Sequence, residues 1–166
     1  MFLIGAENAT SPPSTIDPAP DGNATDPSEH TPLRILLVED NNFNQKIAKG
    51  FLGKRGHAVE VVDNGQSALD RLQTEKFDLV LMDLQMPIMG GLETTRRIRQ
   101  KETSTGNHLV IIGLTAHAIK GDRERCLAAG MDGYVSKPIR PAELSAQIAI
   151  ALGGVSTEPT PPTSSR

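Results

Sequence analysis

Cysteine is almost missing from this 166-residue chain, in which Cys126 stands alone. No intramolecular disulfide and no thiolate metal cluster can form from one thiol, so a reducing, cytoplasmic setting is expected. Aromatic residues are nearly as scarce, at 3%, with no tryptophan and a single tyrosine, Tyr134. Long hydrophobic runs are lacking as well: none exceeds about six residues, where a membrane-spanning helix takes about 20. Met1-Phe2-Leu3-Ile4 is apolar but has neither the basic lead nor the longer core of a secretion signal. Positive charge is not in excess, and a net charge of -3 gives no basic footprint for nucleic acid. Contact with neither nucleic acid nor membrane is therefore expected of this chain.

Residues 1–32 hold six of the 12 prolines and five acidic residues, Glu7, Asp17, Asp21, Asp26 and Glu29, without a lysine or arginine. Such a stretch buries too little apolar surface to offset the entropy of ordering it, and it reads as a disordered, proline-rich acidic linker. Residues 153–166 read as a disordered tail on the same grounds. Between them lies one compact domain, residues 33–152.

Within that domain, short apolar runs alternate five times with longer amphipathic ones. Leu33 to Val38, Ala58 to Val62, Leu79 to Met82, Leu109 to Leu114 and Gly133 to Val135 are too short for helices and rich in Val, Ile and Leu. Ile35-Leu36-Leu37-Val38, Leu79-Val80-Leu81-Met82 and Val110-Ile111-Ile112 do not alternate with polar residues, as expected of parallel strands covered on both faces. The second run carries Glu60 and reads as an edge. Five stripes at helical spacing lie between the strands: Phe43, Ile47, Phe51 and Leu52; Ala68, Leu69 and Leu72; Leu92, Thr95 and Ile98; Ile119, Arg123 and Leu127; Leu144, Ile148, Ala151 and Leu152. Gly56 and Gly130 stand where helix ends need a left-handed residue, and Pro141 where a first turn accepts proline. The pattern predicts an α/β three-layer sandwich with a five-stranded parallel sheet and five helices. It leaves the strand order open.

Four positions break the logic of burial, each where an apolar strand gives way to a loop. Glu39 and Asp40 follow Val38, Asp83 follows Met82, Thr115 follows Leu114, and Lys137 follows Val135-Ser136. Parallel strands all end on one edge of the sheet, where ligand crevices of open α/β folds lie. Singly, each has an ordinary reading: a helix cap for Glu39-Asp40 or Thr115, a turn residue for Asp83, a solvated charge for Lys137. Jointly they assemble three mutually repelling carboxylates, a hydroxyl and an ammonium. A hard divalent cation such as Mg²⁺ would offset the repulsion. Asp83 could then attack phosphorus, with Lys137 and Thr115 serving phosphoryl oxygens.

The strings LLVEDNNFNQ at 36–45, LVLMDLQMPIMGGLE at 79–93, IIGLTAHA at 111–118 and AAGMDGYVSKPI at 128–139 resemble the receiver domain of two-component response regulators and hybrid histidine kinases. The resemblance spans residues 33–152 and implies the flavodoxin-like receiver fold with strand order 2-1-3-4-5. It implies that Asp83 is the phosphoacceptor and that Glu39 and Asp40 organise Mg²⁺, Asp40 more directly, with the backbone carbonyl of Gln85 as a further ligand. Thr115 matches the hydroxyl that moves toward the phosphoryl group, Lys137 its cationic partner, and Tyr134 the aromatic that swings inward when that hydroxyl moves. A cis Lys137-Pro138 bond, aiming Lys137 into the pocket, is implied too. Ala116 would leave the phosphoryl group accessible, and Gly90 and Gly91 would permit the turn after the acceptor. Gly113 departs from the more usual alanine and is expected to loosen its strand slightly. Gln85 and His117 occupy positions that tune phosphate lifetime.

The implied partner is a histidine kinase or histidine phosphotransfer domain, docking beside the first helix at Phe43, Asn44 and Ile47. Asn44 and Gln45 resemble the hybrid-kinase version of the motif, so the chain is expected to be a monomeric fragment of a hybrid histidine kinase. By itself it would only gain and lose phosphate at Asp83. A free-standing single-domain regulator and a non-phosphorylated pseudo-receiver that acts as a binding module are the alternatives. His57 and His108 are expected to be plain surface residues.

Overall fold

The computed structural model describes residues 31–116 and 120–153. The readings of residues 1–30, of His117 and Ile119, and of the tail beyond residue 153 lie outside the described residues. Five strands alternate with five helices: β1 (Arg34–Val38), α1 (Asn42–Lys54), β2 (Ala58–Val62), α2 (Gly65–Thr74), β3 (Leu79–Asp83), α3 (Gly91–Thr105), β4 (Val110–Thr115), α4 (Lys120–Ala129), β5 (Gly133–Ser136) and α5 (Pro141–Ala151). All pairings are parallel, in the order β2-β1-β3-β4-β5.

Successive strand side chains point to opposite faces, and the core divides accordingly. Ile35, Leu37, Leu79, Leu81, Ile112 and Leu114 face Ala48 and Leu52 of α1 and Leu144 and Ile148 of α5. Leu36, Val38, Val80, Met82 and Ile111 face Ala68 and Leu69 of α2, Ile98 of α3 and Cys126 of α4. Each fully buried aliphatic side chain contributes about 1.5–3 kcal/mol. The two layers therefore hold the sheet rigid and fix where its strand ends fall. The edge position read from Glu60 is met: β2 is only half-buried along most of its length.

Local chemistry sets the element boundaries. α1 starts at Asn41, whose Oδ1 accepts from the backbone N–H groups of Phe43 (2.9 Å) and Asn44 (3.3 Å), so the cap is not the preceding acidic pair. Asn64 caps α2 by accepting from the Ser67 N–H at 2.8 Å. Gly56 and Gly130 take positive φ, as their positions predicted, and Pro141 opens α5.

The stripe read for α4 is out of phase. Leu127 is exposed and so is Arg123, while Cys126 and Ala129 are buried. Small side chains fill this site, and the bulkier ones misled the reading. In the loop after β3 the left-handed residue is Ile88, at φ 69°, not a glycine; it centres a tight turn closed by the Met89 N–H to Pro87 carbonyl bond of 2.7 Å. Gly91 is needed for space instead, since a Cβ there would meet the Asp83 carbonyl oxygen at 2.1 Å. Gly113 likewise admits its neighbours: a Cβ would lie 2.8 Å from Met131 Sδ and 3.2 Å from Cys126 Sγ. The strand is filled there, not loosened.

His108 is a surface residue, as expected, whereas His57 is not fully so. Half-buried His57 accepts the Leu33 N–H at its Nδ1, at 3.2 Å. Exposed His108 lies 2.6 Å from Asp132 Oδ1, beside a network in which Arg99 ties α3 to the Gly130 and Leu109 carbonyls and to Asp132.

Candidate functional site

The strand order makes β1 and β3 central neighbours, with Val38 paired to Met82 and Asp83 paired to Leu114. The residues that leave the ends of these strands must then converge. Glu39 continues from β1, its N–H bonded to the Val62 carbonyl at 3.0 Å, and Lys137 continues from β5, its N–H bonded to the Thr115 carbonyl at 2.7 Å. Glu39, Asp40 and Asp83 each turn a carboxylate oxygen to within 4.8 Å of the others. Lys137 Nζ lies 2.8 Å from Glu39 Oε2 and 2.8 Å from Asp83 Oδ2. The Lys137–Pro138 bond is cis, as the resemblance implied.

Burial sorts the carboxylates. Glu39 and Asp83 are buried and Asp40 is exposed, so the cluster has a closed floor and one open side. Asn41 N–H (3.2 Å) and Asn44 Nδ2 (3.1 Å) donate to Glu39 Oε1, and Gln45 Nε2 donates to its carbonyl at 2.6 Å. Gln85 N–H donates to Asp83 Oδ1 at 3.0 Å. These bonds hold both buried carboxylates in register.

Electrostatics show how far the protein compensates its own crowding. At an effective dielectric of about 20, two charges 4.8 Å apart repel by about 3.5 kcal/mol, and an ion pair at 2.8 Å attracts by about 6 kcal/mol. Lys137's two attractions offset much of the three mutual repulsions, but not the desolvation of buried charge. Three carboxylates and one ammonium leave two negative charges, the complement of one divalent cation. Burial pushes the Asp83 carboxyl above its ordinary range, reinforced by Glu39 and opposed by Lys137 and the Gln85 N–H. Burial alone would lower Lys137, but its bonds to Asp83 and Glu39 outweigh it and hold the ammonium above its usual value. Donors that are all hard oxygens suit a metal of the magnesium class.

The remaining site residues of the sequence reading fall around this centre. Thr115 is buried at the end of β4, but its hydroxyl donates to Asp122 Oδ2 of α4 at 2.9 Å. Tyr134, half-buried on β5, packs against the layer containing Met131 and Cys126. Phe43 (70% exposed) and Ile47 (39%) stand out from the start of α1. Asn44 turns its amide inward to Glu39, a role its assignment to a partner surface did not include. The sequence reading also missed Asn41, Gln45 and Asp122. A run of amides beside an acidic pair was the available signal for the first two; Asp122, seven residues past Thr115, carried none. A cavity of about 560 Å³ between α2 and α3, beside Phe77, Ile98 and Leu109, contains none of these groups.

The model of the response regulator receiver domain matches residues 35–149. The chain belongs to the receiver domain family. Hybrid signal transduction histidine kinase I of Dictyostelium discoideum is 46% identical over 119 residues, which cover 69% of this chain and 7% of that protein. Sensor histidine kinase GacS of Pseudomonas protegens is 44% identical over 123 residues, 74% of this chain and 13% of the kinase. The chain thus spans only a small part of the curated kinases it matches. Among solved structures, the receiver domain of a sensor histidine kinase from Pseudomonas aeruginosa, with a magnesium ion coordinated in its active site cleft, is 39% identical at TM-score 0.67, over 75% of this chain and all of that one. The receiver domain of the Saccharomyces cerevisiae response regulator Ssk1, solved with the histidine phosphotransfer protein Ypd1, is 32% identical at TM-score 0.67 and covers 71% of this chain and 87% of that chain. No helix among the described residues is long and apolar enough to cross a membrane.

Proposed function

We propose that this receiver domain takes a phosphoryl group from a phosphohistidine of a histidine kinase or histidine phosphotransfer protein onto Asp83. The observation that carries the reading is the convergence of Glu39, Asp40 and Asp83 on Lys137 with a residual charge of one divalent cation. Asp40, Asp83 and the carbonyl of Gln85 would hold Mg²⁺, with Glu39 shaping the site from beneath. When bound, the ion would neutralise charge on the acceptor carboxylate and the incoming phosphoryl oxygens.

The chain's own groups divide the rest of the work. A carboxylate oxygen of Asp83 forms the new P–O bond while the P–N bond to the donor imidazole breaks. The imidazole nitrogen keeps the electron pair and takes a proton from solvent. Gln85 N–H holds Asp83 Oδ1 and so fixes the carboxylate plane for in-line attack. Lys137, already at the acceptor, transfers its contact to a phosphoryl oxygen. The added charge of about -1.5 to -2 draws the Thr115 hydroxyl inward, and Tyr134 fills the space left behind. The face of α4, β5 and α5 then shifts between two packings.

The exposed Phe43 and Ile47 offer a helical donor an apolar seat beside the acceptor. The domain acts as a monomeric, cytoplasmic module of a hybrid histidine kinase, with residues 33–152 as the receiver and the flanking segments as tethers. Incubation with Mg²⁺ and acetyl phosphate, followed by intact mass, tests the chemistry. One added phosphoryl group is expected, abolished by EDTA and by Asp83→Asn; an unmodified wild-type chain would reject the proposal.

A further inference from the structure

We propose that Asp122 is a positioning residue, a resting-state latch that keeps the Thr115 hydroxyl out of the phosphoryl pocket and so sets how readily the domain switches. The latch rests on the role proposed for Thr115 and adds what restrains that residue.

A threonine hydroxyl has one proton to donate. In this structure that proton goes to Asp122 Oδ2, at 2.9 Å, from a side chain that is itself buried. A bond to a carboxylate is charge-assisted and stronger than one between neutral groups. The same proton cannot also serve a phosphoryl oxygen, so the two anions compete for one donor. Whatever stabilises the Thr115–Asp122 bond raises the threshold for switching, and by linkage phosphorylation weakens the hold of α4 on β4.

The surroundings of Asp122 make release feasible. Its other oxygen lies 3.5 Å from Arg125 Nη1, its side chain is 23% exposed, and it sits in the first turn of α4, where the helix dipole favours a carboxylate. Losing Thr115 would therefore leave Asp122 with an arginine, water and the helix terminus, not stranded as a buried charge. Among its described residues α4 commits only the small Cys126 and Ala129 to the core, and this bond ties its first turn to β4. An element held by a releasable polar contact and little apolar burial is suited to a two-state shift.

The test uses the full chain, in which Tyr134 is the only tyrosine and tryptophan is absent, so intrinsic emission reports Tyr134 alone. Wild type, Asp122→Asn and Asp122→Ala are titrated with beryllofluoride in Mg²⁺ while Tyr134 emission and the Thr115 methyl resonance are followed. Asp122→Ala is expected to switch at about tenfold lower mimic concentration and to show a displaced Thr115 methyl signal before any mimic is added. Asp122→Asn, which keeps an acceptor without charge, should fall between and serves should the alanine variant not fold. A lower melting temperature with midpoint and methyl signal unmoved would make Asp122 a structural residue and overturn the latch. The mimic-free methyl signal reads the latch even if Asp83 proves unreactive, which separates its failure from that of the phosphoacceptor reading.

Discussion

Replacing Asp83 by asparagine should stabilise the metal-free domain, although it removes an ion pair. Asp83 is repelled by Glu39 and Asp40 at separations up to 4.8 Å and attracted by Lys137 at 2.8 Å. At a dielectric of about 20, the two repulsions come to at least about 7 kcal/mol and the attraction to about 6 kcal/mol, so the ion pair leaves no net gain. The desolvation of a buried carboxylate is left over, and it is the largest cause of the raised Asp83 pKa. Asparagine keeps the shape and an acceptor for the Gln85 N–H while shedding that cost. A gain of about 1–2 kcal/mol, or roughly 3–8 °C in Tm for a domain of this size, is expected.

The pH dependence follows in sign. A carboxyl whose folded pKa lies above its unfolded value of 3.8 binds its proton more tightly when folded, so its contribution to stability falls as pH rises through the folded pKa. The advantage of Asp83→Asn should be near zero below that range, where wild-type Asp83 is a neutral isostere of asparagine, and widen toward neutrality. Added Mg²⁺ should invert the order, because ligand binding stabilises wild type by about 2.7 kcal/mol at a hundredfold excess over Kd while the variant has lost a ligand. Thermal melts followed by circular dichroism at pH 4 and 7, in EDTA and in Mg²⁺, provide the assay. A lower Tm for the variant in EDTA at pH 7, or a gap equal at both pH values, would refute the electrostatic reasoning.

Other substitutions probe the frame. Arg99→Ala should cost about 3 kcal/mol in denaturant melts, since one half-buried guanidinium serves Glu102, Asp132 and the carbonyls of Leu109 and Gly130. Gly113→Ala should destabilise by about 1 kcal/mol by pressing on buried Met131, and Met131→Ala should relieve that clash in a double-mutant cycle. Ile88→Gly should raise stability by about 1 kcal/mol by releasing a β-branched residue from positive φ, with little lost packing because Ile88 is 84% exposed. Asn44→Ala should weaken Mg²⁺ binding several-fold in calorimetry, as Glu39 Oε1 loses a donor that orients it.

The carboxyl edge was legible in the chain because chemistry-bearing residues interrupt apolar runs there, and a parallel sheet leaves them nowhere else to gather. Glu39, Asp83, Thr115 and Lys137 stand out in the chain itself, and the motif strings add the strand order that periodicity leaves open. The partners of those residues were harder to read. Asn44 sits on the exposed start of a helix, and nothing in its position says that its amide turns back to Glu39. Asp122 lies seven residues beyond Thr115, a separation that has meaning only once β4 and α4 are folded together. The α4 stripe was misread because cysteine and alanine fill its buried positions while Leu127 faces outward, so side-chain size and burial run against each other. Ile88 takes the conformation that Gly90 and Gly91 advertised, because the glycines are needed for close approach of backbone at the next turn.

Most polar groups at this edge are already engaged in the unphosphorylated structure. Lys137 is shared between two carboxylates, Asp83 Oδ1 holds the Gln85 N–H, and Thr115 is given to Asp122. Activation in such a site is an exchange of partners and not the making of contacts where none existed. The free energy of switching is then a difference between similar terms, of the size of one hydrogen bond, although each term alone is several times larger. That is why a residue outside the carboxylate cluster can govern the threshold. A change in Asp122 acts on the small difference, whereas a change in Glu39 or Lys137 disturbs large terms on both sides and damages the fold along with the switch.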